Sequence, residues 1–70
     1  MMTYYKVKIS RAEGEWWNVD IYTQYDYEAD YRMRSRRQAH GLERAQEIAE
    51  QIRLQYKATE FAFKLEIDAR

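Results

Sequence analysis

Asp26, Glu28 and Asp30 stand two residues apart in the stretch DYEAD. Three carboxylates at that spacing match the first ligands of a calcium-binding loop, which also needs glycine at its sixth position and glutamate at its twelfth. Those positions here hold Tyr31 and Arg37, so the calcium reading fails. Paired carboxylates can serve as general acid and base, but no nucleophile is placed beside them. His40 is the lone histidine, which excludes a multi-histidine metal site. It reads as a polar surface residue, because a ribonuclease built from His40, a tyrosine and an arginine would need a second acid or base placed with it. Cysteine is absent, so neither a disulfide framework nor a thiolate zinc site is available. The expectation is a chain with no enzymatic activity, no cofactor and no metal.

Binding chemistry remains, and two sets of residues could supply it. The first is Tyr25, Asp26, Tyr27, Glu28 and Asp30. Tyrosine gives contact area at low entropic cost, and spaced carboxylates can occupy a cationic channel that another protein reserves for nucleic acid. The plain alternative is a solvated acidic loop. The second set is Lys6, Lys8, Trp16, Arg32, Arg34 and Arg36. Cations suit phosphates and flat rings suit bases, whereas the plain alternative is a solvated sheet face covered by long amphipathic side chains. Charge bears on the choice. The net charge is zero, but residues 12–31 carry six acids and no Lys or Arg, while five arginines fall within residues 32–44. A dedicated nucleic-acid binder usually carries a clear positive excess.

The elements that must position these residues follow from periodicity. Thr3–Ser10 alternates, with Tyr5, Val7 and Ile9 on one face and Tyr4, Lys6 and Lys8 on the other, which predicts a strand. The Gly-containing RAEG, residues 11–14, predicts a hairpin loop. A second strand over 15–23 turns Trp17, Val19 and Ile21 inward and Trp16, Asn18, Asp20 and Tyr22 outward. Two adjacent tryptophans in a strand cannot enter the same core, so Trp16 is left outside, to make a contact or to lie flat against Tyr4 or a loop.

Residues 24–28 read as a connection, and about 30–34 as a short third strand with Tyr31 and Met33 inward and Arg32 and Arg34 outward. Ser35 and Gln38 fit the spacing of a capping box. Ala39, Leu42, Ala45, Ile48, Ala49, Ile52 and Tyr56 then define one helical face. Gly41 interrupts that stripe, leaving two readings: a helix capped at Ser35, which we favour, or one starting near Leu42 with 35–41 as loop. A fourth strand over 59–68 turns Phe61, Phe63, Leu65 and Ile67 inward. Leu54 lies off the helical core stripe and, with an exposed sheet edge, allows a homodimer as well as a monomer.

The predicted fold is a single α+β domain over 1–70, two-layered, in the order β-β-β-α-β. Its four-stranded, mostly antiparallel sheet has spatial order 4-1-2-3 and carries one helix on one face. No run approaches the roughly 20 apolar residues of a membrane span, and the first residues lack the apolar block of a signal peptide, so a cytoplasmic location is expected.

The run WWNVDIY, then RMRSRR, then ERAQEIAE is similar to the three-stranded-sheet-plus-helix, arm-type DNA-binding domains of phage integrases. That resemblance covers about residues 3–50. It implies a strand tryptophan (Trp16 or Trp17) and Arg32, Arg34 and Arg36 in a major groove, with Ala45 and Ala49 on the packing helix. In size, composition and charge pattern the chain also resembles small phage-encoded inhibitors of the anti-CRISPR kind. That likeness implies a cofactor-free protein binding a host nucleoprotein complex. The expected function is therefore inhibition of a nucleic-acid-handling complex through the acidic, tyrosine-rich loop; the alternative is a DNA- or RNA-binding module using the open sheet face.

Overall fold

A computed structural model describes residues 3–27, 29–56 and 62–68. The elements are β1 (Thr3–Arg11), β2 (Trp16–Tyr25), β3 (Arg32–His40), α1 (Leu42–Gln55) and β4 (Phe63–Asp68). They form one four-stranded sheet in the order β3-β2-β1-β4. β2 pairs antiparallel with both β1 and β3, and β4 lies parallel to β1. The predicted class, element order and strand order are those observed.

The core follows from the alternation. Val7 pairs with Ile21 and Ile9 with Val19, so four β-branched side chains stand together on one face of the two central strands, each at most 1 % exposed. Burying each stabilises the fold by about 1.5–3 kcal/mol before entropy is counted. Trp17 and Ala39 extend this face, and α1 covers it with Ala45, Ile48, Ala49 and Ile52. Alanines one turn apart, at 45 and 49, let the helix approach the sheet closely.

The helix does not start at Ser35. Residues 35–40 are neither helix nor loop but the second half of β3, zipped to β2 from Trp16–His40 to Ile21–Ser35. β2 is ten residues long and its free side must find backbone partners. A ladder satisfies more of those groups than one capping box at Ser35. The break falls at Gly41, whose φ of 90° and ψ of 145° are disfavoured for residues bearing a Cβ. Its N–H donates to the Glu15 carbonyl (2.8 Å), and its own carbonyl accepts from the Ala45 N–H (3.2 Å), so one residue ends the strand and opens the helix. The other break, Gly14 at φ 59°, lies in the β1–β2 turn.

A second correction concerns which way β3 faces. The ladder pairs Ile21 with Ser35 but Tyr22 with Met33, so Arg34 is an extra, bulged residue. The bulge reverses the predicted alternation over 31–34. Met33 lies beside Tyr22 on the open face and is 51 % exposed. Tyr31 also reaches the open face, where its ring meets Lys6. Arg32, opposite Thr23, and Arg34, whose Nε donates to Thr23 Oγ1 at 2.5 Å, belong to the helix side of the sheet.

The helix packs mainly on β2 and β3 and only lightly on β1. It ends with Tyr56 stacked on Tyr5, ring centroids 5.2 Å apart. Phe63 is partly buried there, while Leu65 and Ile67, expected inside, are each 44 % exposed. Phe61, also expected inside, lies outside the described residues. Among the described residues, no helix is long and apolar enough to cross a membrane.

Candidate interaction surfaces

The turn between β2 and β3 carries the acidic, tyrosine-rich set. Tyr25 is the last residue of β2, Asp26 and Tyr27 form the turn, and Asp30 lies just before β3; Glu28 falls outside the described residues. The Gln24 side-chain amide donates to the Ala29 carbonyl (3.0 Å) and ties the two limbs of the turn. The rings of Tyr25 and Tyr27 stack at 5.7 Å, and the Arg34 guanidinium lies 5.3 Å from the Tyr25 ring centroid. Tyr25 thus contacts both Arg34 and Tyr27, and Tyr27 is 77 % exposed. The bulge makes the Arg34–Tyr25 contact possible by turning Arg34 to the side on which Tyr25 stands. Asp26 and Asp30 are exposed alongside it.

The second set is only partly brought together. Lys6, Lys8, Trp16 and Arg36 share the open face, while Arg32 and Arg34 lie on the other side. Lys6 Nζ sits 4.8 Å from the centroids of both Tyr22 and Tyr31, held between two rings. Trp16, 48 % exposed at the start of β2, meets His40 edge-on at 5.2 Å. The Nε2 of His40 lies 3.3 Å from Glu15 Oε2, so the histidine belongs to a surface contact at the strand end. Of the alternatives for Trp16, packing on Tyr4 is not the one observed, since its ring meets His40.

The centre of the open face holds a residue that pattern alone did not single out. Asp20 is 3 % exposed although it points away from the helix. Arg36 grips it in a two-pronged pair, Nε–Oδ1 at 2.6 Å and Nη2–Oδ2 at 3.0 Å. Such planar, charge-assisted geometry is the strong form of an ion pair. The hydrogen bond to Asp20, and then its charge, raise the Arg36 pKa above its already high ordinary value. Lys8 stands opposite Asp20 on β1. The signal was available in part, because Asp20 lies in the outward register between a lysine strand and an arginine strand. Around this pair, Gln38 bonds Asn18 at 3.2 Å and Lys64 approaches Glu66 at 3.5 Å. Four cations on this face (Lys6, Lys8, Arg36, Lys64) thus stand among three acids (Asp20, Glu66, Asp68).

Leu54 is 60 % exposed. At about 100° per residue it projects some 180° from the Ile52-centred core stripe, out from the sheet. Among the described residues no group of three or more His, Asp or Glu is arranged to hold a metal ion.

Comparison with protein-family profiles, with curated proteins and with solved structures gave no match to this chain.

Proposed function

We propose that this is a non-catalytic interaction protein that binds the cationic, nucleic-acid-accepting surface of a host nucleic-acid-handling complex and inhibits it, in the manner of a phage-encoded anti-CRISPR protein. The binding surface is the β2–β3 turn, with Tyr25, Asp26, Tyr27 and Asp30 and with Glu28 between them. The observation that carries the reading is the pair of Tyr25 contacts, with the Tyr27 ring and the Arg34 guanidinium, beside exposed Asp26 and Asp30. A tyrosine held out at 77 % exposure yet already stacked loses little side-chain freedom on binding. Tyrosines at the centre of an interface supply contact energy, and the carboxylates supply steering toward a basic partner. The Gln24–Ala29 bond braces the turn in the same sense.

A second reading is supported by one observation. Lys6 between Tyr22 and Tyr31, with Lys8 on the same strand, makes a cation-and-ring surface of the sort that accepts single-stranded nucleic acid. Against it stand the capture of Arg36 by Asp20 and the placement of Arg32 and Arg34 on the other side.

The test is a pair of titrations. Binding to random duplex and single-stranded DNA is measured from about 20 to 200 mM salt, where a phosphate-dominated interaction would weaken steeply. In parallel, purified RNA-guided nucleases and other nucleic-acid-handling complexes are assayed for DNA binding with and without the protein. Inhibition by the wild type, its loss in D26K/D30K and negligible DNA binding are expected. Tight, salt-sensitive DNA binding without inhibition would replace this reading with the second one.

A further inference from the structure

The two edges of the sheet are finished differently. β3 carries arginines at 32, 34, 36 and 37 and a bulge, devices that discourage a sheet edge from pairing with another chain. β4 has a short alternating sequence, with Phe63, Leu65 and Ile67 on the helix side and Lys64, Glu66 and Asp68 on the open side. α1 lies over the far strands, so Leu65 and Ile67 are each 44 % exposed beside partly buried Phe63.

The backbone direction of β4 is fixed by its bond to β1. The Tyr5 N–H donates to the Ala62 carbonyl at 2.7 Å. Strand alternation then points the backbone groups of Lys64 and Glu66 at β1, and those of Phe63, Leu65 and Ile67 at the outer edge, where no strand among the described residues pairs with β4.

We propose that the protein forms a two-fold dimer by antiparallel pairing of β4 with the β4 of a second copy, centred on Leu65. In this register Leu65 faces its own counterpart and Phe63 faces Ile67 of the second copy. All three use edge-directed backbone groups, giving about six hydrogen bonds across the seam. Lys64 then stands opposite Glu66 of the second copy, and Glu66 opposite its Lys64, in the pair type where side chains approach most closely.

The neighbouring registers do not share this complementarity. Centring on Lys64 or on Glu66 sets like charges against each other, and centring on Ile67 sets Glu66 against Asp68. A strand whose edge is self-complementary in charge and apolar pattern fits another copy of itself better than an unrelated strand. The axis lies perpendicular to the sheet, so both helices fall on the same side and flank one continuous apolar strip. The seam buries on the order of 500 Å² per copy, the low end of specific interfaces, and so a micromolar dissociation constant is expected. The β2–β3 turns lie at the two far edges and stay free.

Sedimentation velocity on the full chain from about 5 to 500 µM provides the test, with far-UV circular dichroism and the melting temperature as checks on folding. The expected result is a concentration-dependent rise from the 8.6 kDa chain mass toward twice that value. K64E and E66K each reverse two symmetric pairs and should weaken association about tenfold. An equimolar mixture of K64E and E66K should recover association, because each new carboxylate then faces a new ammonium. L65K should abolish it. A chain that remains monomeric throughout overturns the proposal. So does a dimer indifferent to K64E and E66K, or a mixture no tighter than either variant alone.

Discussion

Asp20 and Arg36 bond each other in two places, yet removing one should cost far more than removing the other. The Asp20 side chain is 4 % exposed and that of Arg36 is 52 % exposed. R36M strands a buried carboxylate. Leaving a buried charge without its partner typically costs 3–5 kcal/mol, and Lys8, directly across the ladder, can recover part of this, so the Asp20 penalty should be about 2–3 kcal/mol. For a domain of this size that is a drop of roughly 10–20 °C in Tm. D20N keeps the shape and leaves a half-exposed guanidinium that water can reach, so its loss should be less than half as large. The double variant D20N/R36M has no buried charge to strand and should be more stable than R36M alone. Urea denaturation at pH 7 on the four proteins gives the full cycle. If R36M proves no worse than D20N, the burial of Asp20 is not what holds this face together.

Four further outcomes follow from particular residues. G41A should cost about 2–3 kcal/mol and G14A about 1 kcal/mol, both through backbone strain alone, since a Cβ at either position meets no atom within 4 Å; chemical denaturation orders the two. I52A should lose 2–5 kcal/mol as a cavity opens between helix and sheet, while L54A should stay within about 0.5 kcal/mol of wild type by the same assay. Y27A should leave Tm unchanged within a few degrees but abolish partner binding, the separation expected of a surface contact residue. Arg53 hydrogen-bonds Glu50 and lowers its pKa below the ordinary 4.5. A carboxyl depressed in the folded state contributes stability that is present above 4.5 and is lost as pH falls through the depressed value, so E50Q should flatten the acid limb of a stability–pH curve slightly.

Most of the fold was legible because one-sided burial writes itself into sequence. β1 and β2 alternate between apolar core and polar outer residues, and the Leu42–Ile52 stripe has helical spacing. The second half of β3 was not legible. Of its nine residues only Ala39 is buried, so neither face has an apolar period to read, and the local capping signal at Ser35 pointed elsewhere. Pairing with β2 is a non-local gain that no window of residues 35–40 reveals. The bulge at Arg34 was hidden for a similar reason, as it is marked by neither glycine nor proline, and it inverted the expected facing of Tyr31, Arg32, Met33 and Arg34. In the acidic turn, residue types were legible but the stacking was not. Charge reading from sequence also left Arg36 available for phosphate, whereas it is bound to Asp20.

The most direct test of the functional account compares two matched charge reversals on one inhibited complex. D26K/D30K changes the β2–β3 turn, and K6E/K8E changes the open face, while binding is followed by fluorescence anisotropy and folding by Tm. D26K/D30K is expected to lose binding with Tm retained, and K6E/K8E to bind as the wild type does. Loss of binding in K6E/K8E alone, with D26K/D30K unaffected, would contradict that expectation and place recognition on the open sheet face.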